Sequence, residues 1–280
     1  MPVSVRLKGG IGNQLFCISA GYYLAKQKNT HFFITHGDFE GCGQGKHPCT
    51  YYDNIFVKIT KSKSALPITH HKEKQWAYYN VLPYFSDINA QTTTIYMDGY
   101  FQSDKHFPNM KTELKNLFAS NSYVEEFLTA RGYKDRYPEL FTRHTYCLIG
   151  VRRGDYVERA AIHNPCGMDY FNKALDVCHA KKYYIASDDI EWCRKKFIGS
   201  QYVFLDIADD LELLYLGTLF PKYIISNSTY HWWMSYLSCY VDPFVVAPDK
   251  WLFGASARRE TYNDIYRDDM IVLERKIEVS

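Results

Sequence analysis

From Thr145 onward the chain alternates, with few interruptions, between short strand-like runs and stretches of helical spacing. The runs are "TYCLIGV", "KYYIAS", "QYVFLD", "KYIIS" and "FVVAP", and stretches such as Met168 to Lys181 and Asp209 to Phe220 separate them. Strands alternating with helices specify a parallel sheet covered on both faces. The N-terminal half opens in the same manner. "VSVRLK" reads as a strand and "GGIGN" as a turn. Gln14 to Lys28 reads as a helix, because Leu15, Ile18, Tyr22 and Ala25 recur at helical spacing. "HFFIT" is then a second strand, "TTIYMDGYF" a later one, and a helix is expected across Asp104 to Phe118. Residues 37 to 92 show weak periodicity and read as loop-rich. The expected architecture is α/β, with two Rossmann-like domains facing a cleft: residues 1–140 and residues 141–280, the second binding the ligand. Ligands of such sheets bind beyond the carboxyl ends of the strands.

Composition narrows the choice of ligand. Lys+Arg 33 against Asp+Glu 31 leaves a net charge of +2, so no general basic field argues for nucleic acid or an anionic membrane surface. Any anion site has to be local. No window approaches the roughly 18–20 apolar residues of a bilayer span, and "MPVSVRLKGG" lacks an apolar signal region. A soluble, cytoplasmic protein without a signal peptide or anchor is therefore expected. The eight cysteines, among them Cys42, Cys49, Cys147 and Cys166, are scattered rather than densely spaced, which points to a reducing compartment.

Three polar clusters stand where strands end. In "GVRRGDY", Arg152 and Arg153 follow an apolar run, and guanidinium forks match phosphate oxygens. Gly154 permits close backbone approach. The plainer alternative is a solvated arginine pair, salt-bridged to Asp155 and Glu158. In "LKGGIGNQLF", Gly10 and Gly12 precede a helix whose N–H groups face outward, but Leu15 replaces the third glycine of a dinucleotide fingerprint. A tight turn explains the glycines and leaves Asn13 and Gln14 without a purpose. In "IISNSTYHWW", Ser226, Asn227, Ser228 and Thr229 precede a helix and form a second candidate phosphate cradle, whereas simple capping needs only one such residue. Trp232 and Trp233 are assigned to packing. Asp188 and Asp209 are placed as helix N-caps, and Asp188 with Asp189 is an alternative metal site. His70-His71 and the His47/Cys49 pair lack zinc spacing.

Taken in order, "GGIGNQLF", "GYFQSDKHF", "VRRGDY", "YYIASDDIEW", "IISNSTYHWW" and "VVAPDKW" resemble the α-1,2-fucosyltransferases of glycosyltransferase family 11. The resemblance implies a GT-B-type fold, GDP-β-L-fucose as donor and a galactose-containing glycan as acceptor. It also implies inversion without an obligatory metal or other cofactor. On this reading Arg152, Arg153 and the Ser226–Ser228 cradle stabilise the departing diphosphate, and Asp155, then Glu158, are candidates for the base. Gly10, Gly12, Asn13 and Asp188 are counted with the donor site, Asp210 with the guanine edge, and Asn13 and Gln102 with the acceptor side. One departure is visible: relatives usually carry histidine two residues before the first arginine, and here that position is Gly150.

Overall fold

A computed structural model describes residues 2–40, 45–63, 67–73, 78–85, 93–143, 145–253 and 263–276. The chain forms two compact units, Met1–Phe118 and Ala119–Ser280.

The first unit contains β1 (Val3–Lys8), α1 (Ile11–Gln27), β2 (Phe32–Glu40), β3 (Thr60–Ser62), β4 (Ile68–Lys72), β5 (Thr94–Asp98) and α2 (Lys111–Phe118). The strands pair in parallel in the order β3-β2-β1-β5-β4. Val3, Val5 and Leu7 of β1 are buried, and α1 buries nearly all of its first fifteen residues against the sheet. Gly21 makes that approach possible, since a Cβ there would fall 2.4 Å from Val5 Cγ1. Two of the edge strands, β3 and β4, come from the segment expected to be loop. Both are short and largely exposed, so they carry little of the apolar periodicity that marks a strand in sequence. The helix expected over Asp104 to Phe118 is instead a 3-10 turn, Asp104–His106, followed by α2. Pro108 and the positive φ of Asn109 (61°) separate them.

The second unit begins with α3 (Asn121–Thr129) and α4 (Tyr133–Arg136). It continues through β6 (Cys147–Val151), α5 (Gly154–Glu158), α6 (Ala160–His163), α7 (Met168–Val177), β7 (Tyr183–Ser187) and α8 (Ile190–Lys196). The remaining elements are β8 (Tyr202–Phe204), α9 (Asp210–Gly217), β9 (Lys222–Ile225), α10 (Thr229–Tyr236), β10 (Phe244–Pro248) and β11 (Met270–Leu273). Its sheet is parallel throughout, in the order β11-β10-β9-β6-β7-β8. Every residue of β6 is buried, as expected of a central strand covered on both faces. Trp232 and Trp233 are fully buried, and Trp232 Nε1 donates to the Ile265 carbonyl at 2.8 Å.

The units divide at Phe118/Ala119 rather than at the expected 140/141. The intervening helices belong to the second unit because their contacts lie there. Phe127 meets Tyr215 edge-on with ring centroids 4.9 Å apart, and the Tyr133 hydroxyl donates to Glu212 Oε2 at 2.6 Å.

Each sheet reverses its winding once. In the first the reversal falls between β1 and β5, in the second between β6 and β9. In open parallel sheets ligands usually bind beside the loops that leave the carboxyl ends of such strands.

Candidate active site

At the reversal of the second sheet, β6 runs directly into Arg152 and Arg153, and β9 into Ser226, Asn227 and Ser228. The two strand ends are tied together. Ser226 N–H donates to the Gly150 carbonyl at 3.0 Å, and Arg152 N–H donates to Ser226 Oγ at 3.0 Å. Adjacency in the sheet thus brings together motifs far apart in sequence.

Carboxylates hold both guanidinium groups. Arg152 Nη2 donates to Asp155 Oδ1 at 2.5 Å, and Nη1 lies 2.7 Å from Asp188 Oδ2. The other oxygen of Asp188 accepts the Arg153 backbone N–H at 2.8 Å. Arg153 Nε reaches Asp189 Oδ2 at 3.3 Å, while its Cζ lies 4.1 Å from the centroid of the Trp192 ring. Asp188 is therefore the hub of the cluster, and Gly154 makes room for it, because a Cβ at 154 would stand 2.5 Å from Asp188 Oδ2. Tyr156 stacks on His163 with centroids 4.0 Å apart and lies 5.1 Å from Arg152 Cζ.

This geometry revises several sequence expectations. The cap of α8 is Asp189, whose Oδ1 accepts from Trp192 N–H, and not Asp188, which faces the arginines. Asp209 does cap α9, accepting from the N–H groups of Leu211 and Glu212 at 3.0 Å each. The arginine partners are Asp155, Asp188 and Asp189; Glu158 is exposed on α5. Asn227 is fully buried, and its amide donates to the carbonyls of His163 (2.7 Å) and Trp251 (3.0 Å), which makes it a staple for two loops. Ser228 occupies the N-cap position of α10 without a side-chain cap bond. Asp210 lies in the first turn of α9, where its carbonyl accepts from the Tyr230 hydroxyl at 2.5 Å.

In the first unit, Asn13 and Gln102 meet at the reversal between β1 and β5, with Gln102 Nε2 donating to Asn13 Oδ1 at 2.9 Å. Gln14 is fully buried and donates to the carbonyls of Gly9 and Lys46, each at 3.0 Å, so its purpose is to brace the turn. Gly9 has φ of 61°, whereas Gly10 caps α1 with open space where a Cβ would stand. Gly12 is buried within α1. Glu73, just past β4, went unnoticed in sequence: its two oxygens accept the N–H groups of Tyr100 (2.7 Å) and Phe101 (3.0 Å). Burial dominates its titration and lifts it to about 7, against the pull of those two bonds and of Lys8. His231 also went unnoticed, placed among packing aromatics. It is buried, with Nδ1 3.2 Å from Ser226 Oγ, and burial followed by the Arg152 charge pushes it down to about 3.

Among the described residues no helix is long and apolar enough to cross a membrane. The seven described cysteines carry free thiols, and Cys147 and Cys178 lie buried with their sulfurs 3.6 Å apart.

Comparison with known proteins shows the family and the fold. The family model described as Glycosyl transferase family 11 matches residues 52–274. An O-antigen biosynthesis glycosyltransferase, WbnK, of Escherichia coli is 25% identical over 91% of this chain and 96% of its own length. An alpha-1,2-colitosyltransferase of Escherichia coli is 24% identical over 89% and 92%. The mouse galactoside 2-alpha-L-fucosyltransferase Sec1 is 24% identical over 71% of this chain and 52% of its own. Among solved structures, the fucosyltransferase NodZ from Bradyrhizobium superposes with a TM-score of 0.52 at 13% identity, covering 84% of this chain and 92% of that one. The fold is accordingly of the GT-B class.

Proposed function

The chain belongs to glycosyl transferase family 11, and from that premise we propose that it transfers L-fucose from GDP-β-L-fucose to the 2-hydroxyl of a β-galactoside, with inversion and without a metal. That it is a glycosyltransferase follows from the family; donor, acceptor and position are the proposal. The observation that carries it is the pair of guanidinium groups at the β6/β9 reversal, held in place by Asp155, Asp188 and Asp189.

Breaking the fucosyl bond pushes negative charge onto the departing diphosphate. Fixed donors aimed at that charge need no rearrangement during reaction, and each is worth roughly 3 kcal/mol. Arg152 and Arg153 supply such donors beside the N-terminus of α10, whose helix dipole favours an anion. They take the part that a divalent cation plays in other transferases. Asp188 and Asp189, the alternative metal ligands, are turned toward the arginines instead. Asp155 likewise serves Arg152 as its partner. The neutral amides of Asn13 and Gln102 both donate and accept, which suits sugar hydroxyl groups and supports an acceptor site in the first unit.

A second donor has a specific observation in its favour, because one relative is named an alpha-1,2-colitosyltransferase. Colitose lacks the 3-hydroxyl of fucose, so the two readings differ by one hydroxyl group on the same L-sugar. Measuring GDP released from each donor in the presence of a galactoside, with and without EDTA, tests the reading. GDP and GDP-fucose are expected to raise the melting temperature, as ligands selective for the folded state do. Turnover is expected with GDP-fucose and to persist in EDTA. A response to UDP-sugars or ATP alone would overturn the donor assignment, and loss on chelation restored by Mn²⁺ would return Asp188 and Asp189 to a metal role.

A further inference from the structure

Gly150 sits in the middle of β6, paired with Ala186 on one side and Ile225 on the other. Glycine weakens a strand interior, and where it occurs another group commonly approaches the backbone closely. Here the approaching group is an imidazole. A Cβ built at 150 would fall 2.4 Å from Cγ of His231 and 2.7 Å from its Cδ2 and Nδ1. The ring therefore occupies the space that any side chain at 150 would need, and glycine is the condition of its being there.

His231 lies in the first turn of α10, only 3% exposed. Its Nδ1 faces the hydroxyl of Ser226, which is fully buried. That hydroxyl has one proton to give, and its oxygen already accepts the Arg152 N–H. The consistent arrangement has the serine proton donated to Nδ1, the ring proton on Nε2, and the serine lone pair aimed at Arg152. Burial and the neighbouring Arg152 charge keep the imidazole neutral, as an accepting Nδ1 requires.

We propose that His231 is a positioning residue for the arginine pair: through Ser226 Oγ it fixes the backbone at Arg152, and with it the guanidinium that meets the donor's diphosphate. Gly150 and His231 then form one device, neither of which works without the other. Removing the acceptor at 231 leaves a buried serine hydroxyl without a destination for its proton, and its lone pair is no longer held toward Arg152. The link to the diphosphate rests on the function proposed above; the link from His231 to Arg152 does not.

Two variants of the full chain separate a hydrogen-bonding role from simple packing. His231→Phe keeps a ring and loses the acceptor, while His231→Asn offers an amide oxygen near the place of Nδ1. Amide hydrogen exchange at Arg152, followed by NMR, should quicken about tenfold in the Phe variant, the scale of one lost hydrogen bond, and stay within about threefold of wild type in the Asn variant. The value of kcat/KM for GDP-fucose should fall by at least about tenfold for Phe and recover with Asn. Unchanged exchange at Arg152 in His231→Phe overturns the proposal, as does an equal effect of both substitutions. Should the Phe variant fail to fold, Gly150→Ala displaces the ring without deleting it, and the same quickening at Arg152 is required of it. Titration of wild-type protein with GDP runs in parallel. If GDP does not bind, the donor reading fails, and the exchange comparison still decides the role of His231.

Discussion

Replacing Arg152 by lysine keeps the charge and removes the fork, so it isolates what the fork contributes. The two terminal nitrogens of Arg152 serve different carboxylates, Asp155 at 2.5 Å and Asp188 at 2.7 Å. A lysine ammonium is a point charge and satisfies one of them at a time. The side chain is 25% exposed, so solvent screening reduces the folding cost of the lost contact to about 1 kcal/mol. The chemical cost is larger. A donor aimed at charge that develops only in the transition state is worth roughly 3 kcal/mol, or about a hundredfold in rate. Because the contact strengthens as the diphosphate departs, the loss should fall on kcat and kcat/KM more than on KM for GDP-fucose. Arg153→Lys should lose less, since Arg153 makes a single long contact to Asp189 and keeps a cation over Trp192 after substitution. Initial rates of GDP release decide the matter, with melting temperature as the control for folding. If Arg152→Lys turns over within about twofold of wild type, the cluster is an ordinary surface ion-pair network and the reasoning fails.

Two further outcomes are expected. Gly154→Ala places a methyl group 2.5 Å from Asp188 Oδ2, a side-chain end that yields by moving off Arg152; kcat/KM should drop by about tenfold with the melting temperature little changed, and unaltered kinetics would show that Asp188 does not position the arginine. Glu73 binds its proton more tightly folded than unfolded, so between its ordinary 4.5 and about 7 the native state holds the extra proton, and stability falls as pH rises through that window. Melting temperatures of wild type and Glu73→Gln across that range should show the slope in the first and not in the second; equal slopes would place the titration elsewhere.

Much of the fold was legible because central parallel strands are apolar on both faces. β6, β7, β9 and β10 stand in the sequence as "CLIGV", "YYIAS", "KYII" and "FVVAP". The edge strands were not legible, since β3 is "TKS" and β4 is "ITHHK", and neither has an apolar face to repeat. At the site, the glycines and strand-end polar residues mark the loops correctly, but their partners belong to tertiary structure. Nothing local distinguishes Asp188 from Asp189 as the cap of α8. What separates them is that the backbone N–H of Arg153, on another strand end, lies within reach of Asp188. Gly150 was visible as a departure, whereas the imidazole standing over it comes from a helix that follows a different strand. Glu73 lies in a stretch of weak periodicity and is explained only by the two N–H groups it receives.

The same topological rule operates in both units and is filled with opposite chemistry. Beyond β6 stand two cations, held by carboxylates that follow β6 and β7; beyond β1 and β5 stand two neutral amides. On the proposed function both depend on geometry: a guanidinium fork has to meet phosphate oxygens in bidentate register, and a hydrogen bond to one sugar hydroxyl group weakens steeply with distance and angle. The backbone is left-handed at both turns of the first unit. Gly9 follows β1 with φ of 61°, and Phe101, fully buried, follows β5 with φ of 50°, a conformation that costs a bulky residue about 1–3 kcal/mol. Each of these turns is pinned by a side chain with no freedom to swing: Gln14 donates to the Gly9 carbonyl, and Glu73 receives the N–H groups of Tyr100 and Phe101. Such strain persists only where surrounding bonds over-determine the backbone, and what it fixes here is the relative placement of Asn13 and Gln102. A pair of amides held that firmly is suited to reading the position of a hydroxyl group, which is the discrimination that the proposed transfer to one position of an acceptor sugar would demand.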